Sequence, residues 1–140
     1  MERHSFAMEI KKGKKNEYRQ ILGEIWPDLT AFLDQEKVHN FSIWNCDSLI
    51  FGYYETDENN EFSEEKKASI QALTSRIDHT FTWISTPGEN MRLMYHNFGV
   101  VRENKELIRH RMFMTKLKDG CEEEYKARHD GLVAQRGETI

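Results

Sequence analysis

The spacing of apolar residues along this chain changes period several times, and each change dictates the kind of element the backbone must form. Residues 4–10 (His-Ser-Phe-Ala-Met-Glu-Ile) alternate, placing Phe6, Met8 and Ile10 on one side, as in a half-buried strand. Lys12-Gly13-Lys14 interrupts the run. From Asn16 the period becomes helical: Tyr18, Ile21, Leu22, Ile25, Trp26, Leu29, Phe32 and Leu33 recur at spacings of three and four. Pro27 lies inside that stripe. Proline lacks a backbone donor and crowds the preceding turn, so a kink or a break into two pieces is expected near Trp26. Residues 38–44 alternate again, Asn45-Cys46-Asp47 reads as a turn, and Ser48 to Tyr54 as a partner strand, which together predict a hairpin. An acidic loop over 55–61 leads to a second helix expected from about Ser63 to Trp83, with Ile70, Leu73, Ile77 and Phe81 on one face. Thr86-Pro87-Gly88 ends it, and Met91 to Val101 reads as the last strand.

The order strand, helix, strand, strand, helix, strand is that of an α+β, ferredoxin-like βαββαβ unit with both helices on one face of an antiparallel sheet. The other sheet face needs a cover. A second copy of the sheet supplies one in architectures of the dimeric α/β barrel type, so a homodimer is expected.

The C-terminal segment falls outside this unit. Residues 111–117 (Arg-Met-Phe-Met-Thr-Lys-Leu) read as a strand, Asp119-Gly120 as a turn, and Cys121 to Gln135 as a helix. Laid over the N-terminus at an offset of 107, Phe113 falls on Phe6, Leu117 on Ile10, Gly120 on Gly13, Glu124 on Glu17 and Tyr125 on Tyr18. The expected organisation is therefore a ferredoxin-like domain over 1–103 and, over 104–140, the start (strand plus helix) of a repeat of the same unit. One reading of that organisation is a piece of a longer tandem protein.

Composition narrows the function classes. Of 140 residues, 38% are hydrophobic and 31% charged, and eight Phe, five Tyr and three Trp suffice to anchor a core. A net charge of −4 argues against nonspecific nucleic-acid binding. No run has the length of a membrane span, and the N-terminus lacks a signal-peptide-type apolar stretch. Cys46 and Cys121 form no CxxC motif, so reduced thiols and a cytoplasmic location are expected. His79 and His96 stand alone, without carboxylates or cysteines at ligand spacing, and no phosphate-binding Gly loop or GxSxG is present. A metal site is therefore not expected.

Phe6-Ala7-Met8, Glu17-Tyr18, Ile25-Trp26-Pro27-Asp28-Leu29 and His39-Asn40-Phe41-Ser42-Ile43-Trp44 together resemble the L-rhamnose mutarotase family over about the first 55 positions. The resemblance implies a ferredoxin-like dimer that interconverts the α and β anomers of a deoxy-sugar by acid/base ring opening, without metal or cofactor. It implies substrate-contact roles for Tyr18, Phe41 and Phe81, the last near the place of a tryptophan pair. The family's catalytic histidine corresponds to Leu22, and the aromatic after His-Asn, usually tyrosine, is Phe41. In the repeat, Tyr125 corresponds to Tyr18 and His129 to the catalytic histidine. These two are four residues apart and share one helix face. The resemblance thus assigns catalysis to His129 and sugar contact to Tyr18, Phe41, Tyr125 and Phe81.

Histidine suits the chemistry because its ordinary pKa, about 6.5, lies near neutral pH; leucine can neither donate nor accept a proton. Read without the resemblance, Tyr18 is equally a core or interface tyrosine, His129 a solvated helix residue, and His39 and Asn40 turn or backbone-satisfying residues. His4 and His110 lie near strand starts and carry no signal of their own. The functional readings are a mutarotase-like carbohydrate epimerase, a catalytically degenerate sugar-binding or dimerisation module, or another dimeric-barrel activity such as cofactor-free oxygenation.

Overall fold

A computed structural model describes residues 1–58, 63–93 and 111–137, the last five by backbone alone. The chain divides into two compact units, Met1–Met91 and Arg92–Ile140. The domain boundary expected between 103 and 104 lies outside the described residues.

The first unit runs β1 (Glu2–Ile10), α1 (Lys15–Gln35), β2 (His39–Cys46), β3 (Leu49–Thr56), α2 (Glu64–Ser75), a 3-10 turn (Asp78–Thr80) and β4 (Phe81–Trp83). The strands lie in the order β2-β3-β1-β4, all neighbours antiparallel, which is the ferredoxin-like arrangement. Alternation along β1 puts Phe6, Met8 and Ile10 on the face that both helices cover, opposite Gly52 and Ile50 of β3. There Met8, Ile10, Tyr18, Ile25, Ile50, Ile77 and Phe81 form the core, with Leu73 of α2 packed against it. Glu36, buried at the end of α1, pairs with Lys66 of α2 and links the two helices.

Phe6 faces Gly52 directly across the β1–β3 ladder. A Cβ on residue 52 would fall 1.8 Å from Cζ of Phe6, so the ring occupies the space a side chain would need. An aromatic lying over a strand glycine restores the burial that glycine lacks.

Three expectations are corrected. Helix α1 runs unbroken through Pro27. Pro27 and Gly23, whose carbonyl loses its helical donor, are both on the exposed side, so the lost bond is not buried. The second helix stops at Ser75 rather than reaching Trp83. Its apolar spacing of four continues through Ile77 and Phe81, but a turn followed by a strand satisfies that spacing equally. The Thr80 hydroxyl closes the turn by donating to the Ile77 carbonyl at 2.6 Å. The fourth strand is consequently Phe81–Trp83, paired with β1 through Ile10↔Phe81 and Met8↔Trp83. Of the strand expected over 91–101, residues 91–93 are irregular and 94–101 lie outside the described residues.

Because β4 is short, side chains complete its edge of the sheet. The Ala7 amide donates to Ser85 Oγ at 3.0 Å and the Ser5 amide to Asn90 Oδ1 at 3.3 Å. The Ile84 and Ser85 amides both donate to the Ala7 carbonyl, at 3.0 and 3.1 Å. Two amides of β1 that β4 does not reach, those of Ser5 and Ala7, are thereby satisfied.

In the second unit, residues 111–118 carry no regular secondary structure, so the extra strand expected over 111–117 is absent. A strand is defined by its ladder, and among the described residues none pairs with this segment; Phe113 is 86% exposed. Helix α3 (Glu122–Gly137) follows, as expected. The approach to it reproduces the approach to α1 at the same offset. Gly13 and Gly120 both take positive φ, 80° and 77°. The Lys14 amide donates to the Lys11 carbonyl at 3.0 Å, and the Cys121 amide to the Lys118 carbonyl at 3.1 Å. The Tyr18 amide donates to Lys14 at 2.8 Å, and the Tyr125 amide to Cys121 at 2.9 Å.

Gly52→Ala should destabilise the first unit by about 1–3 kcal/mol, the usual cost of overpacking. Chemical denaturation of Gly52→Ala alone and combined with Phe6→Ala checks this. Most of the Gly52→Ala cost should vanish in the Phe6→Ala background; equal costs in both backgrounds would refute the steric pairing.

Candidate functional site

Helix α1 is held at its start by a short polar chain. Lys14 Nζ donates to Glu17 Oε2 at 2.5 Å, and His79 Nε2 lies 2.8 Å from Glu17 Oε1. These hydrogen bonds, Lys14 first, hold the Glu17 carboxyl below its ordinary pKa. They tie the helix start to the turn before β4 while the next residue, Tyr18, points inward and is 4% exposed.

Tyr18 lines a cavity of about 470 Å³ between the helices and the sheet. Burial pushes its hydroxyl up to about 12, so it stays protonated at neutral pH and is available as a hydrogen-bond donor. Among the described residues that hydroxyl makes no hydrogen bond. On its side of the cavity the aromatic rings stand edge to face: Tyr18 on Phe81 at 6.5 Å, Phe81 on Trp83 at 5.5 Å, and Trp83 on Phe6 at 6.0 Å. Leu22, one turn beyond Tyr18, also lines the cavity.

Another part of the lining comes from the far ends of β1, β2 and β3. His4 and Tyr54 are cross-strand partners whose rings stack at 4.5 Å and 15°. His4 Nε2 lies 2.7 Å from Thr56 Oγ1, which together with the stack fixes the ring. Burial raises the Tyr54 hydroxyl. Phe41 completes this part, 6.4 Å from Tyr54 and 6.3 Å from Trp26.

Tyr18, Phe41 and Phe81 are thus brought to one cavity, although Phe81 opens β4 instead of lying on the second helix. Tyr125 and His129 lie in the second unit, neighbours on α3 with ring centroids 4.2 Å apart and His129 Nδ1 3.0 Å from the Tyr125 carbonyl. His39 and Asn40 serve structure. Asn40, at φ 51° in the β2 irregularity, donates to Glu55 Oε2 at 2.7 Å, and His39 lies 3.6 Å from Asp57. His96 and His110 lie outside the described residues.

Sequence reasoning missed His4 and Tyr54. The signal was present for His4, which has the parity of Phe6, Met8 and Ile10 and so belongs to the same strand face. Among the described residues no three His, Cys, Asp or Glu side chains form a metal-binding group, and no helix is long and apolar enough to cross a membrane.

Fold and site together define a ferredoxin-like α+β domain with an aromatic-walled, small-molecule-sized cavity between helices and sheet. A family model described as L-rhamnose mutarotase matches residues 3–92. The L-rhamnose mutarotase of Oceanobacillus iheyensis is 33% identical over 72 residues, covering 50% of this chain and 69% of that protein. The L-rhamnose mutarotase of Agrobacterium fabrum is 42% identical over 55 residues, 37% of this chain and 50% of that protein. A crystal structure of an L-rhamnose mutarotase from Formosa agariphila covers 68% of this chain and 100% of its own at 21% identity and a TM-score of 0.43. The chain belongs to the L-rhamnose mutarotase family.

The raised Tyr18 pKa has a stability consequence. Folding favours the protonated phenol, so this contribution is complete below about pH 10 and is lost as pH rises through about 12. Denaturation midpoints measured across that range should fall less steeply for Tyr18→Phe than for the unmodified chain. Coincident alkaline limbs would show that Tyr18 is not buried as described.

Proposed function

We propose that the chain is a carbohydrate epimerase that interconverts the α and β anomers of L-rhamnose or a related deoxy-hexose, acting in the cytoplasm without a metal or organic cofactor. The observation that carries this reading is the cavity around Tyr18, within the size range of small-molecule sites and walled by aromatic rings. Such rings stack on the C–H face of a sugar, and Leu22, Phe41 and Phe81 suit the methyl group that distinguishes a deoxy-hexose. The Tyr18 hydroxyl, protonated and without an internal partner among the described residues, supports a role as donor to a sugar oxygen. Ring opening needs only a proton taken from the anomeric hydroxyl and a proton given to the ring oxygen, which side chains supply.

Residues 104–140 begin a second copy of the unit, in which His129 stands at the equivalent of Leu22 and Tyr125 at that of Tyr18. The matching turn geometry before α1 and α3 supports the repeat. In that copy His129 transfers protons beside a sugar-contacting Tyr125.

The sheet face opposite the cavity carries the cross-strand pair Trp44 and Phe51, with Tyr53 beside it. The Tyr53 hydroxyl donates to Glu55 Oε1 at 2.6 Å and is pushed up to about 12, chiefly by burial. A second copy of this sheet is its cover in the homodimer we propose.

Exchange NMR on the α and β anomeric protons of L-rhamnose tests the activity. The chain should accelerate exchange over buffer, and Tyr18→Phe should lower the acceleration by at least about tenfold. Binding without exchange would leave a sugar-binding module. His129→Ala should also lower the rate; an unchanged rate would remove His129 from the chemistry. Sedimentation should find a dimer that Phe51→Asp converts to a monomer, and equal masses for the two would refute this interface.

A further inference from the structure

The first unit has an aromatic cavity and a tyrosine donor but a leucine where proton transfer would be expected from α1. Another titratable group borders that cavity from the sheet. We infer that His4 is the catalytic proton-transfer residue of the first unit, acting from β1 in place of a group on the helix. This inference rests on the mutarotase reading above.

Three observations carry it. His4 lines the same cavity as Tyr18. Its ring is fixed in two directions, by stacking on Tyr54 at 4.5 Å and by the 2.7 Å contact of Nε2 with buried Thr56. The Thr56 contact engages one ring nitrogen and leaves Nδ1 without a hydrogen-bond partner among the described residues. A ring oriented through one nitrogen, with the other uncommitted, is the arrangement that proton-transfer histidines use. The nearby Tyr54 and Phe41 rings give a sugar a surface on which to stack beside it.

The chemistry balances with this single group. In a pyranose, O1 and O5 are both bonded to C1, so one nitrogen can reach both. Neutral His4 takes the proton from O1 as the C1–O5 bond breaks and C1=O1 forms; the imidazolium then gives that proton to O5. After rotation about C1–C2, the proton returns from O5 through His4 to O1 as C1–O5 re-forms on the opposite face. No proton is gained or lost, and the Tyr18 and Tyr54 hydroxyls remain donors throughout.

The experiment compares anomeric exchange of L-rhamnose in the unmodified chain, in His129→Ala, and in His129→Ala combined with His4→Gln. Glutamine keeps an amide within reach of Thr56 but cannot shuttle a proton near neutral pH. His129→Ala should retain exchange above the buffer rate. Adding His4→Gln should lower this remaining exchange by at least about tenfold, while saturation transfer to the sugar persists. If that double variant does not fold, His4→Phe, which keeps the stack on Tyr54, replaces it. Exchange lost in His129→Ala alone, or retained after substitution of His4, overturns the role of His4 and leaves the mutarotase reading intact. An unmodified chain that leaves exchange at the buffer rate overturns both.

Discussion

The register of β1 against β3 is the constraint on which the rest of the first unit depends. Phe6 lies on Gly52, Met8 faces Ile50, and His4 faces Tyr54, all on the face that the helices cover. A slip of one residue would turn each of these side chains to the other face. The Phe6 ring resists such a slip, because its place is open only where the facing strand has no Cβ. Two residues along from that pair in one direction lies the centre of the core; two residues in the other lies the stacked His4–Tyr54 pair. The sheet thus contributes hydrophobic packing and a polar corner through a single alternating run. Bringing β4 to the free edge of β1 then adds Phe81 and Trp83 beside Tyr18.

Elements that alternate or recur over several periods were legible in the sequence. Strand β1, the hairpin of β2 and β3, and helix α1 fall where their apolar patterns place them. The errors lie where one pattern serves two conformations. Ile70, Leu73, Ile77 and Phe81 fit one helix face, yet Ile77 and Phe81 reach the same core from a turn and a strand. The long helix then displaced the fourth strand to 91–101. Pro27 was read as a kink or a break because its cost was counted without its location on the solvent side. Residues 111–117 show the reverse: a strand-like alternation without a ladder among the described residues, since alternation specifies a face and cannot supply a partner.

Site residues were legible in proportion to the local pattern around them. Tyr18 stands out on its helical stripe, and Tyr125 and His129 stand out as an i, i+4 pair now seen in ring contact. His4 was passed over because it lies near a strand start, although its parity already placed it with Phe6 and Met8. Tyr54 needed the register, since only pairing with β1 identifies which face of β3 it shares. Long-range pairing is the information that a linear reading lacks, and it is what assembles the polar corner of the cavity.

That placement bears on how such a cavity can do without a proton-transfer group on α1. Burial raises the Tyr18 hydroxyl to about 12, in keeping with the apolar side chains that line the wall around it. Leucine at 22 packs against the core and offers no proton. His4 occupies a different environment. It is half-buried, oriented by Thr56, and stacked on an aromatic ring near the end of the sheet. The helix thus supplies a tyrosine donor in an apolar wall, and the strand supplies the histidine.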